Sequence, residues 1–361
     1  AADCPIQHAS RCPPLKEIVR HKEAAGPALE TFLKHKKPAY RSAALQALAA
    51  IGYKASGVKV LALLAAPEPE VRYAAISSTG RLAPPGAVVA LSRLLGSTDL
   101  RDKLQATAAI GTTRDTAGVA PLLRMLEDGH PKVQATAARS LGAIGDPRAT
   151  MSLATMLADP LTRYPVRLAI AVALGRIGDT AAVPMLLQIT GDPEVRVRKA
   201  AVKSLGQLGD VRAVAALSLL IDDAELTEPA IGAFARLGLV EGLPTLLRIT
   251  KATSLSPELM ARAFAALGKI ESDETVNGLK PYLRSDDPQI VIWTCEALGH
   301  LNRRSALVSL IDTLHHDNKD AREMAAWAAQ KLTGMELGTD IEAWEKWFYA
   351  QEKAKDPAAR P

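Results

Sequence analysis

The sequence has little aromatic material, 4% of residues, and no apolar run approaching the 18 or more residues of a membrane span. A core poor in rings has to be assembled from Ala, Leu, Val and Ile, which suits closely packed helices. It also lacks the motifs that carry most enzyme chemistry. No His-Glu-x-x-His, Cys-x-x-Cys, Gly-x-Ser-x-Gly or Walker pattern occurs, so catalysis has no support in the motifs. The seven histidines (His8, His21, His35, His130, His300, His315 and His316) are scattered, and only the last two adjoin. Neighbouring residues on a helix point in different directions, so His315 and His316, with Asp312 and Asp317 nearby, read as a solvated turn rather than a metal site. No cofactor is called for.

What the chain does have is a single recurring register. Ala49, Gly80, Gly111, Gly142, Gly175, Gly206, Gly238, Gly268, Gly299 and Gln330 follow one another at 31, 31, 31, 33, 31, 32, 30, 31 and 31 residues. Each period reads as two short helices that cannot bury an apolar face alone, so neighbours must stack. The expected fold is all-α, a right-handed α/α superhelix or solenoid of ten helical pairs. Residues 1–14 read as an N-terminal tether, 15–334 as the array, 335–349 as a capping helix and 350–361 as a polar tail.

The period can be read residue by residue. Val197, Ala201, Leu205 and Leu208 form one apolar stripe at helical spacing, and small Ala200 and Ala201 admit a close neighbour. Asp192-Pro193, repeated as Asp159-Pro160 and Asp287-Pro288, suits the start of a second helix. Gly145, Gly178 and Gly209, each followed by Asp, suit a left-handed helix end with a cap for the next helix. Pro121, Pro184 and Pro244 should kink the first helices or delay their regular start, and Pro281 should shorten or bend its own. The 33-residue interval coincides with Thr162-Arg163-Tyr164-Pro165, a turn insertion on one edge and a contact candidate.

Asp-Pro-x-x-x-Val-Arg-x-Ala-Ala-x-x-x-Leu-Gly, as it stands at 192–206, resembles the HEAT repeat of the phycobilin-lyase-like subclass. The resemblance implies a scaffold or binding surface, most often in a bacterial assembly. It also implies an Arg near the start of each second helix that interacts with neighbouring repeats. Those positions are Arg41, Arg72, Arg167, Arg198 and Arg322, whereas Lys103, Gln134, Ala230, Met260 and Val291 depart from the pattern. Two relatives of this architecture set rival readings. The lyases hold an open-chain tetrapyrrole as paired subunits, but no chromophore residue can be matched here, and the iron hydroxylases need His-Glu steps, of which there are none.

In a solenoid of this class the second helices line the inner curve, sampled by the residues seven and three before the register position. Tyr73, Leu104, Leu168, Val172, Ile231 and Ile292 make that surface largely apolar, with Arg139, Lys199 and Lys203 as a central positive spot. Two readings stand: the stripe packs between neighbouring helices, or it captures a protein partner or a multiprotein complex. Nucleic acid is the weaker rival, because it calls for a longer set of Lys and Arg. The first repeat is basic (Lys16, Arg20, Lys22, Lys34, Lys36, Lys37, Arg41), a solvated cap face or a contact for an acidic partner, an anionic membrane surface or nucleic acid.

The two ends differ from the repeats. Ala1-Ala2-Asp3-Cys4-Pro5 has the look of a processed export signal, and Cys4 with Cys12 could close a disulfide loop in an oxidising, periplasmic setting; a cytoplasmic location stays open. Cys295 reads as core filling. At the other end Thr339 with Glu342 matches a capping box, with Asp340 as the alternative cap. Trp344, Trp347 and Phe348 then share one side of a helix that covers the end of the stack.

Overall fold

The computed structural model describes residues 22–252 and 255–355, which hold helices and turns and no strand. Cys4 and Cys12 lie outside them. The chain divides into two compact units, Ala1–Ser204 and Leu205–Pro361.

In the first unit the helices are α1 (Gly26–Phe32), α2 (Pro38–Ile51), α3 (Gly57–Ala62), α4 (Pro69–Leu82), α5 (Ala87–Arg93), α6 (Leu100–Thr113), α7 (Val119–Leu126), α8 (Pro131–Ile144), α9 (Thr150–Ala158), α10 (Tyr164–Ile177) and α11 (Val183–Gln188). The division falls inside α12 (Val195–Leu208). The second unit continues with α13 (Ala213–Leu220), α14 (Thr227–Leu237), α15 (Leu243–Ile249), α16 (Pro257–Leu267), α17 (Asp273–Leu279), α18 (Pro288–His300), α19 (Leu307–Thr313), α20 (Lys319–Thr333) and α21 (Ile341–Lys355). Odd-numbered elements up to α19 are the short first helices of each pair, and even-numbered ones are the longer second helices.

The turns follow the sequence chemistry closely. Gly145, Gly178 and Gly209 have φ of 75°, 79° and 69°, left-handed ends that cost a glycine little. The next residues, Asp146, Asp179 and Asp210, accept from the amides of Arg148, Ala181 and Arg212 at 2.9–3.0 Å. Pro184 and Pro244 occupy first-turn sites, where no donor is needed, and a 3₁₀ turn precedes α11 and α15. Pro281 falls in the 3₁₀ segment Lys280–Arg284 that follows the seven-residue α17. Asp192 and Asp287 cap their turns as expected. Asp159 makes the same bond, accepting from the Leu161 amide at 2.9 Å, but it closes α9 and does not open α10, because the two inserted residues carry it away from that helix.

Second helices pack side by side through the register residue. A Cβ added to Gly80, Gly111 or Gly142 would meet the Cα of Ala109, Ser140 or Ala173 at 3.0, 2.6 and 2.7 Å, the first tighter than most side-chain contacts and the other two closer than real ones come. Buried Ser78, Ser140 and Ser204 use that approach to donate to the carbonyls of Leu45, Thr107 and Ala171 in the preceding second helix, at 2.8–2.9 Å. In the second unit Gly206, Gly268 and Gly299 make the same approach to Ala233, Ala297 and Ala328. Gly238 departs from it: α14 stops at Leu237, and Gly238 is its left-handed cap at φ 60°.

Candidate functional site

The Arg positions implied by the repeat form a structural ladder in the first unit. Arg41 meets Glu68 at 2.7 Å while donating to the carbonyl of His35. The Nε of Arg72 donates to both carboxylate oxygens of Asp102 at 3.0 and 2.8 Å, and its other arm donates to the carbonyl of Ala66. Arg167 grips Asp192 through two bonds at 2.7 and 3.0 Å and the carbonyl of Thr162 at 2.6 Å. Each guanidinium therefore ties its own turn to the next repeat, a geometry that suits the planar fork of Arg.

Arg198 and Arg322 hold their own turns, through the carbonyls of Asp192 and Pro193 and of His316 and Asp317. Lys103, a departure in the sequence, still reaches Asp128 in the next repeat at 2.8 Å, so the cation is kept although the fork is lost. The Arg41 hydrogen bond holds the Glu68 carboxyl below its usual range. Burial works against the charge of Asp128 and Asp192, yet the bonds from Lys103 and Arg167 win and keep both lowered.

On the opposite side of each second helix, the residues ten, seven and three before the register position and one after it fall within an arc of about 80°. This is the solvent face. Leu104, Leu168, Val172 and Ile292 are half-buried on it, and Arg139 and Lys203 are exposed. Lys199 is half-buried and engaged. Tyr73 is half-buried and committed: its hydroxyl donates to Asp99 at 3.2 Å, and the Arg101 guanidinium covers its ring at 4.2 Å. Desolvation first, and then the Asp99 carboxylate, raises its phenol above the ordinary range.

Ile231 must be withdrawn from the candidate partner contacts, since it is 1% exposed. Where other repeats carry Arg, α14 carries Ala230, and Leu226, Thr227 and Ala230 are all buried with Ile231. Apolar residues at its entry sink the start of this helix into the stack.

Sequence reading missed two positions of the face, ten before and one after the register. They add exposed Arg81, Arg101, Lys132, Arg176 and Arg196 in the first unit. The signal was present, because a 3.6-residue period places them on the same arc.

At the C-terminal end, Trp344 is fully buried, its indole N–H donates to the carbonyl of Gly338 at 2.8 Å, and Trp347 meets it edge-on at 5.8 Å. Phe348 is half-buried. The cap of α21 is Asp340, which accepts from the Ala343 amide at 3.0 Å, and not Thr339, which is exposed. The helix begins at Ile341, so Asp340 holds the N-cap place, and it runs to Lys355, past the expected bound at 349.

An open groove of about 850 Å³ lies between the turns of the fourth and fifth pairs, lined in part by Leu123, Met151, Met156 and Leu161. Here the ladder position is uncharged Gln134. Among the described residues no three His, Cys, Asp or Glu side chains gather as a metal site, and no helix is long and apolar enough to cross a membrane. Cys295 is buried, and desolvation pushes its thiol up to about 12, far from a nucleophile.

No curated protein matches the sequence. Among solved structures, Kap121p bound to Pho4p is similar with a TM-score of 0.50 at 12% identity, over 91% of this chain and 43% of that one. An engineered protein gives 0.46 at 20% identity, over 85% and 98%. The complex of CpcE and CpcF of phycocyanin lyase from Nostoc gives 0.39 at 20%, over 76% and 93%. At such identities the likeness is one of fold. The HEAT-repeat model matches residues 91–164 and 161–233. Residues 91–233 are thus built of HEAT repeats, and the same register of stacked helical pairs runs on either side of them.

Proposed function

We propose that this chain is a non-catalytic interaction scaffold or a subunit of a larger assembly, and that a protein docks on the second-helix face within residues 69–204. One observation carries the reading. The buried residues of each repeat are consumed by stacking, capping and the ladder, while the second helices turn outward a face on which half-buried Leu104, Leu168 and Val172 alternate with exposed cations. Apolar side chains at the edge of burial supply affinity, and cations around them supply orientation. The fold neighbour Kap121p, which was solved with Pho4p bound, supports a protein ligand on such a fold.

The test is affinity capture from native extract by the full chain, by Leu104→Asp with Leu168→Asp, and by Val89→Asp, an exposed position of α5, as control. Specific partners should be lost with the paired change and kept with the control. Retention of every partner by the paired variant, shown helical by circular dichroism, overturns the face. Export is part of the same proposal and depends on Cys4 and Cys12. Peptide mapping without reductant should find them joined, and two free thiols in freshly purified native protein would remove that support.

A further inference from the structure

The formal charge of the chain is +5, and it is very unevenly placed. Residues 1–204 hold 27 Lys and Arg against 16 Asp and Glu, a formal +11, and residues 205–361 hold 17 against 23, a formal −6. Much of the positive excess stands on the candidate face. Its four positions per helix from α4 to α12, up to residue 204, carry eight Lys or Arg and one acid, Glu70. Arg81, Arg101, Lys132, Arg139, Arg176 and Lys203 are exposed, and none forms an ion pair among the described residues. The same positions in the second unit carry five acids, Glu228, Glu258, Glu296, Asp320 and Glu323, against Lys269 and Lys331.

A row of unpaired cations at one face raises the local concentration of anionic ligands and speeds their encounter. Two classes of polymer would answer to it, and the side chains between the cations choose. Nucleic acid without sequence preference needs open aromatic faces on which bases stack. This face carries no row of open rings: Tyr73 lies half-buried beneath Arg101, and the one exposed tyrosine beside it, Tyr164, has a ring face taken by Arg196 at 5.1 Å. Between the cations stand Leu104, Ala108, Leu168 and Val172, which offer a base edge no hydrogen bond but pack well against aliphatic side chains.

We infer that the second-helix face of residues 69–204 binds an acidic polypeptide segment that also carries apolar side chains. The inference rests on the scaffold reading and narrows its partner. Five helices at 8–10 Å spacing make a face about 40 Å wide, the reach of roughly 12 extended residues.

The test uses the full chain and fluorescent peptides of about that length, read by anisotropy. The probes alternate Asp with Leu, Lys with Leu, or Asp with Ser, and an oligo-dT of similar reach is the fourth. The Asp/Leu peptide should bind tightest and weaken as salt rises. Arg139→Glu with Lys203→Glu should cost it about tenfold or more in affinity, and Lys251→Glu with Lys269→Glu in the second unit should cost little. Both variants should keep the parent's helical circular dichroism, which separates lost binding from lost folding. Equal binding of the Lys/Leu peptide, or indifference to the first pair of reversals, overturns the inference. Tighter binding of oligo-dT, lost with the same reversals, overturns the polypeptide and assigns the face to nucleic acid. If every acidic probe fails while captured partners still depend on Leu104 and Leu168, the inference falls and the scaffold reading stands.

Discussion

Two helix glycines should respond oppositely to the same substitution. Gly142 lies on α8, where a Cβ would sit 2.7 Å from the Cα of Ala173 and 2.9 Å from its Cβ. Carbon atoms in contact prefer about 3.5–4.0 Å, so α8 and α10 would have to part by about 1 Å, and a backbone atom cannot swing aside as a side chain can. Overpacking of this kind costs about 1–3 kcal/mol, here toward the upper end, and better helix propensity returns about 1 kcal/mol. Gly142→Ala should therefore lose about 2 kcal/mol net. Gly232 is also inside a helix, yet a Cβ there meets only the far end of the exposed Arg236 side chain, at 3.4 Å. Gly232→Ala should gain about 0.5–1 kcal/mol through propensity and a stiffer unfolded chain. Urea unfolding followed by circular dichroism at 222 nm reads both, and amide exchange on α8 and α10 localises the first. A Gly142→Ala protein as stable as the parent, with unchanged exchange at those helices, would refute close approach as the reason for the register glycine.

Asp192→Ala should destabilise the first unit by about 2–4 kcal/mol, because it strips a partly buried Arg167 of its carboxylate and Glu194 of its cap. The Asp192 carboxyl is lowered in the folded state, so the parent's advantage over this variant should be complete above about pH 4 and fade as pH falls through the lowered pKa. Acid titration of both proteins by circular dichroism checks the direction, and a gap that widens on acidification would contradict it. Trp344→Ala should cost about 3–5 kcal/mol and expose α19, against which α21 packs. Exchange mass spectrometry confined to the last repeats reads this, and unchanged protection there would show that α21 is not their cap. Cys295 should resist alkylation at pH 8 until the protein unfolds, and above about pH 9 its raised pKa should make stability fall, since only the unfolded thiol ionises there. Rapid native labelling by iodoacetamide would contradict its burial.

The repeating parts of this fold were legible because one residue type answers one backbone demand. Gly145 before Asp146 spells a left-handed end and a cap, and Trp344 with Trp347 spells a covered end. The register glycines were visible as a period, but their use was not: whether Gly142 closes a turn or admits a neighbouring helix depends on a distance between repeats that no local pattern contains. Ser78, Ser140 and Ser204 went unread for the same reason, since each bonds a carbonyl 33 residues away. Lys103 was legible only as a departure, because an ammonium and a guanidinium differ in fork but share a charge. Ile231 was misread because burial at the edge of a stripe is set by how deep the helix starts, and that depth comes from Leu226 and Ala230. The face was half legible: two of its four rows were read, and the two omitted rows carry most of the cations.

The central claim is that partners meet the second helices of residues 69–204, and hydrogen exchange of the full chain with a captured partner bound tests it most directly. Amide exchange reports the helix, so protection should rise in α4, α6, α8 and α10 and stay unchanged in the first helices α5, α7 and α9. Protection concentrated in those first helices or in the turns around Leu161, with the second helices exchanging as in the free protein, would contradict the account.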